Sequence, residues 1–255
     1  MAINYIPLNK EKHKELKVAV NSAFEFAKQT HLSAASIREY AQLAATMPLV
    51  FIKDPKSDRY HTVAMLGMEQ NQNLFLATGK WKAPHVPMNI MRYPFDIRPD
   101  ADKLGVYIDE ESNLVGAEDG EPLFNEDGTP SAFLENRQKF LGELANSEML
   151  TQRFIAKVVE LNLFDPIQIR LTYQDGQQRN VTGMFSINEK RLLELPEATV
   201  TDLHKQGFLG ALYAIMLSLG QLNRLVELSN DTQNPIANMQ IATDNGPAPE
   251  QAPTA

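Results

Sequence analysis

From Leu49 onward the hydrophobic pattern stops repeating at helical spacing and becomes short β-prone runs joined by turn chemistry, and this change limits the fold most. LVFIKD, TVAMLG and NLFLA are separated by DPKSD and EQNQ, and further extended pieces are expected at Phe95–Ile97 and Leu104–Ile108. PIQIRLTY and NVTGMFSI flank a turn around Asp175-Gly176 and read as a hairpin. No strand alternates with helices in β-α-β order, which disfavours a doubly wound sheet. The pattern predicts an α+β fold: a central antiparallel sheet with helices from the N- and C-terminal parts packed on it, plus a C-terminal β-hairpin.

Helical signals flank the strands. Asn9 can cap a helix carrying Leu16, Val20, Ala23, Phe24 and Ala27. A capping box, Ser36-x-x-Glu39, opens a second helix that must end near Thr46, because Met47 precedes Pro48. Thr129 as cap with Pro130 at the first helical position opens a third, and a fourth starts from Ser147. The last long helix is expected from about Asp202 to Leu228. Residues 1–228 read as one globular body, with possible lobes 1–128 and 129–228. Residues 229–255 hold no Leu or aromatic side chain and read as a disordered tail.

Zero cysteine excludes disulfide scaffolds, thiol nucleophiles and cysteine-held metal clusters. A net charge of −8 argues against a nucleic-acid partner. The longest apolar stretch, Phe208 to Leu219, falls short of the roughly 20 residues that span a bilayer, so no membrane span is expected. The start carries no charged region followed by an apolar core and cleavage site, which makes the cytoplasm the expected location.

Motifs for catalysis are sparse. Neither a G-x-S-x-G elbow nor a phosphate-cradling glycine loop occurs. Gly207, Gly210 and Gly220 lie in the last helix, where close helix packing is the expected reason for them. His13, His61 and His85 are weak metal-ligand candidates. His13-Lys14-Glu15 has an H-x-E step, but in a helix positions i and i+2 do not share a face. Residues 109–128 form an acidic loop with eight Asp or Glu and no Lys or Arg. Within it Asn125, Glu126, Asp127 and Gly128 echo the start of a calcium loop without its alternating ligands.

Trp81 to Phe95 is the most unusual segment. It gathers the only Trp with His85, Arg92, Tyr93 and Phe95 on a backbone stiffened by Pro84, Pro87 and Pro94. Trp, Tyr and Arg dominate binding hot spots, so these five residues are the candidate binding site. The plainer reading is a loop strapped across the sheet, with Trp81 and Phe95 as core pegs. Lys80, Lys82 and Arg92 occur here without an acid, which predicts a locally basic binding face.

Several blocks resemble the SapC family of bacteria. These are PLNKEKHKELKV, EYAQLAATMPLVF, NLFLATGKWKAPHVPMNIMRYPFDI, DGEPLFNEDGTPS, LNLFDPIQIRLTYQDG and VTGMFSINEKRLLEL, in order from about residue 5 to 228. The W-x-A-x-x-V-P…R-Y-P-F segment is fairly specific, and the resemblance rests on several blocks. The resemblance implies a family named for a surface-layer gene set, whose members look like companions of outer-membrane TonB-dependent receptors. They also resemble neighbours of flavin-dependent halogenase-like and cupin-like proteins. It carries over no catalytic residue set.

The expected function is therefore a non-enzymatic accessory or binding protein of the SapC type. Its partner would be a peptide or protein linked to outer-membrane receptor or surface-layer systems, with no cofactor, and its oligomeric state is left open. The alternative is a metal-dependent, oxygenase-like enzyme that modifies peptides, using those histidines and an acid of the 109–128 loop.

Overall fold

The computed structural model describes residues 4–20, 23–100 and 103–243. In chain order the first half contains β1 (Tyr5–Pro7), α1 (Lys10–His13), β2 (Lys17–Val18), β3 (Leu32–Ala34), α2 (Tyr40–Ala44), β4 (Leu49–Lys53) and β5 (Tyr60–Met65). Then come α3 (Met88–Met91), β6 (Phe95–Asp100), β7 (Lys103–Asp109) and β8 (Glu121–Pro122). The second half holds α4 (Ala132–Glu160), β9 (Phe164–Tyr173), β10 (Gln178–Ile187), α5 (Glu189–Leu193) and α6 (Glu197–Lys205). It closes with α7 (Phe208–Ser218), α8 (Leu222–Ser229) and β11 (Ile236–Thr243).

The fold is α+β. Its main sheet has six strands in the order β11-β9-β10-β4-β5-β3, and every pairing is antiparallel. The expected hairpin is β9–β10, and it belongs to this sheet through the pairing of β10 with β4. A smaller sheet, β1-β7-β6, stands apart, and β2 pairs with β8.

Two hydrophobic cores result. The larger lies under the main sheet, where Phe154 of α4 meets Tyr40, Phe51 and Phe208 with ring centroids 5.9, 6.3 and 5.5 Å away. The smaller gathers Val18, Phe95, Ile108, Leu114 and Leu123 against Leu134 and Leu141 of α4. Each core draws residues from both sides of residue 128, and the long α4 joins them.

The structure corrects several sequence expectations. Asn9 does cap α1, its side chain accepting the Glu11 and Lys12 N–H groups, but the helix ends at His13. Val18 instead enters a strand and is buried in the smaller core, and Phe24 takes a left-handed φ of 53° that no helix tolerates. NLFLA is not a strand. Leu74, Phe75 and Leu76 are all buried in a 3-10 turn capped by Asn73, whose Oδ1 accepts the Phe75 N–H at 3.1 Å. The third helix starts two residues beyond Pro130, at Ala132 with Ser131 as its cap, because Thr129 is committed to Asp127. Ser147 is buried within that helix and caps nothing, so α4 runs unbroken for 29 residues.

The C-terminal helix begins earlier than expected, at Glu197, and breaks at Gly207, whose φ of 75° favours glycine. Gly210 and Gly220 face solvent with nothing within 4 Å of where a Cβ would sit, so helix packing does not explain them. From Phe208 the helical run continues to Ser229. Its 22 residues are long and apolar enough by length and composition to cross a membrane. The sequence expectation was drawn from Phe208–Leu219 alone, and α8 makes the helical run longer than that stretch. In this fold Phe208, Leu212, Ile215, Leu222 and Leu225 are buried in the larger core.

The stretch expected to be a disordered tail is in part a strand. β11 pairs along β9, from Ile236 opposite Tyr173 to Thr243 opposite Ile167. Strand pairing is made by backbone groups, so a segment poor in large apolar residues can still join a sheet edge. Ile236 is buried, and its N–H donates to Ser229 Oγ at 2.9 Å. Residues 244–255 lie outside the described residues.

Candidate functional site

The proline-dense segment is anchored before it can present anything. The Trp81 ring stacks on Phe75 and meets Phe24 edge-on, with centroids 5.6 and 6.0 Å apart, and its Nε1–H donates to the His85 carbonyl at 3.0 Å. Glu39, almost fully buried, holds the next stretch. One of its oxygens accepts the Ser36 N–H, as the capping box predicts, and the other accepts the Met88 N–H at 2.9 Å and faces His85 Nε2 at 3.3 Å. The chain then makes the short α3 and enters β6 through a cis Tyr93–Pro94 peptide.

Beyond this anchor lies a cleft of about 690 Å³ between the main sheet and the smaller one. On one side it is walled by β3, on the other by Tyr93 and by the β7 end around Asp109 and Ser112. β3 is the edge strand of the main sheet. His31 and Ala35 bond β5 and its extension through Leu66 N–H and Thr62 C=O, and Ser33 sits opposite Ala64. By antiparallel alternation Leu32 and Ala34 turn their backbone groups away from the sheet. Asn89 Nδ2 reaches the Ala34 carbonyl at 3.2 Å. Among the described residues the Leu32 N–H and C=O and the Ala34 N–H have no hydrogen-bond partner.

The cleft is acidic, and of the cations expected to form a basic face only Arg92 lines it. Lys82 is paired with Asp231 at 2.5 Å, and Arg92 is bound by the buried Asp96, which also holds Arg98 at 2.8 Å. Glu25, Asp109 and Glu111 line the cleft, and among the described residues none of them is in an ion pair. Buried Asp109 accepts the Tyr93 hydroxyl at 2.9 Å and the Asn4 N–H at 3.2 Å. Burial raises the Tyr93 phenol above its ordinary value and pushes Tyr5, at the same wall, up to about 12, so both remain protonated donors.

Of the five sequence candidates, Arg92 and Tyr93 line this cleft. Tyr93 and Phe95 line a second, smaller cavity of about 210 Å³, while Trp81 and His85 line neither. Sequence reasoning missed Arg137, which lines the smaller cavity. Its signal was the set of apolar neighbours three and four residues away on α4: Phe133, Leu134, Phe140 and Leu141. It also missed β3, whose three residues are too short a run to stand out.

The three histidines are dispersed. His13 is buried beside Glu110, His85 meets Glu39, and His61 lies in β5 opposite Ile52 of β4. Among the described residues no group of three His, Asp or Glu side chains could hold a metal ion. Asn125 and Asp127 spend their side chains on Thr129 and on the Pro130 carbonyl, closing their own turn.

Fold and cavity together define an α+β protein with an acidic cleft beside an open sheet edge. The SapC family model matches residues 8–225, and the chain belongs to that family. Comparison with curated proteins and with solved structures gives no match.

Proposed function

We propose that this SapC-family protein is a non-catalytic binding protein that holds an extended, basic peptide segment of a partner protein in the cleft beside β3. The observation that carries this reading is the open edge of β3, with the Leu32 and Ala34 amides turned into a cleft large enough for several side chains. An extended peptide added to such an edge gains main-chain hydrogen bonds, and pockets beside it supply specificity. Unpaired Glu25, Asp109 and Glu111 complement Lys or Arg side chains. The family resemblance suggests outer-membrane receptor or surface-layer components as the source of that segment.

The test is a selection from a displayed library of extended peptides, followed by affinity measurements on variants. Pro is tolerated on an edge strand where its nitrogen faces outward. Ala34→Pro should therefore leave the fold intact and remove the peptide's main-chain partner. Glu111→Lys should turn the selected sequences away from basic residues. Selected peptides that bind Ala34→Pro as tightly as the native protein would refute the placement.

A further inference from the structure

The smaller cavity has a chemistry of its own. Its walls include Val18, Phe26, Phe95 and Leu114, and it opens beside the exposed Val20 and Met91. Among the described residues Arg137 is the one charged residue lining it. The guanidinium lies over the Phe133 ring, 5.4 Å from the centroid, and Nη1 donates to the Met91 carbonyl at 3.3 Å. Among the described residues no Asp or Glu forms an ion pair with it.

A guanidinium stays charged in proteins and offers five donors in a planar fork, of which one is used here. Half-burying that charge without a counter-ion is unfavourable, and a carboxylate answers both the charge and the fork geometry. A single guanidinium balances one negative charge, which favours a carboxylate over a phosphate dianion. Burial also pulls the Arg137 value below the ordinary one, in keeping with a site that lacks its anion.

We propose that the cavity walled by Phe26, Phe95 and Leu114 binds a small monocarboxylic acid with an apolar ring or short tail, its carboxylate paired with Arg137. This site shares the wall residues Phe26, Ile90 and Tyr93 with the peptide cleft but does not depend on its occupant.

Calorimetric titration of the full-length protein with 3-phenylpropionate and with its neutral analogue 3-phenylpropan-1-ol tests the proposal. The acid should bind at least about tenfold tighter than the alcohol, the usual advantage of a charge-assisted pair. Arg137→Gln should abolish that difference. Ala19→Leu, which leaves Arg137 in place and fills the cavity, should weaken both ligands, with folding of each variant checked by circular dichroism. Absence of acid binding to the native protein overturns the proposal, as does equal preference for the acid in Arg137→Gln. A Gly-Gly-Phe peptide that binds more tightly than 3-phenylpropionate, and loses binding when its carboxylate is amidated, would overturn a free acid as the occupant.

Discussion

The Glu39 carboxylate accepts the Met88 backbone N–H at 2.9 Å, tying the start of α3 to the turn that opens α2. One buried side chain thus fixes the proline-dense segment on which a wall of the cleft is built. Glu39→Ala should orphan the Ser36 and Met88 donors together. The expected loss is about 2–4 kcal/mol, a lost cap plus a buried unpaired N–H. Glu39→Gln keeps one acceptor oxygen and should lose less. Urea unfolding of both variants, with amide exchange at Met88, checks the order.

Glu110 gives the fold a pH dependence. It binds Lys12 Nζ and His13 Nε2, each at 2.7 Å, while the Asn9 N–H donates to His13 Nδ1 and so leaves the ring proton on Nε2. The Lys12 ammonium first, and His13 second, hold the Glu110 carboxyl below its ordinary value of 4.5. A depressed carboxyl stabilises the fold fully above the unfolded value, and that contribution is lost as pH falls through the folded one. Native protein and Glu110→Gln should therefore differ by a constant amount well above the ordinary value of 4.5 and converge as pH falls below it through the depressed one. Urea midpoints across this range are the measurement, and a gap that persists unchanged in acid counts against it.

Phe154 is fully buried at the meeting point of Tyr40, Phe51 and Phe208. Replacing it with Ala opens a cavity that three rings on three different elements cannot close. The expected destabilisation is about 3–5 kcal/mol. Phe154→Leu, which keeps most of the volume, should lose markedly less in the same denaturant titration.

β11 covers the edge of β9. A chain ending at Pro235 would expose the β9 backbone from Ile167 to Tyr173 and uncover Leu171 and Ile169. Such edges template pairing between molecules. The truncated protein should unfold at lower temperature and self-associate with rising concentration, as light scattering would read. A monomeric, undiminished product would show that β11 is dispensable.

Turn chemistry carried the sheet. The β-prone runs at Leu49–Lys53 and Tyr60–Met65, and the hairpin around Asp175-Gly176, are strands bounded by turns whose chemistry is local. The capping box at Ser36 was legible for the same reason. NLFLA deceived because a short, wholly buried apolar run has no period to separate strand from turn. β11 escaped because backbone pairing needs no apolar signature.

The site was only half legible. Arg92 and Tyr93 are recognisable by residue type, yet whether Arg92 is available depends on Asp96 of β6, which binds it and Arg98 together. Of the segment's three cations only Arg92 reaches the cleft, and it is held there by Asp96. Asp109 and Glu111 belong to the acidic 109–128 loop, but Glu25 lies far away in sequence, and no spacing rule connects it to them.

The central claim is that the outward edge of β3 takes up an extended peptide. Amide exchange at Leu32 and Ala34, measured by NMR with and without a selected peptide, tests it most directly. The account predicts strong slowing at both amides, while the Ser33 amide, already directed at β5, changes little. Tight peptide binding that leaves Leu32 and Ala34 exchanging as in the free protein would contradict it.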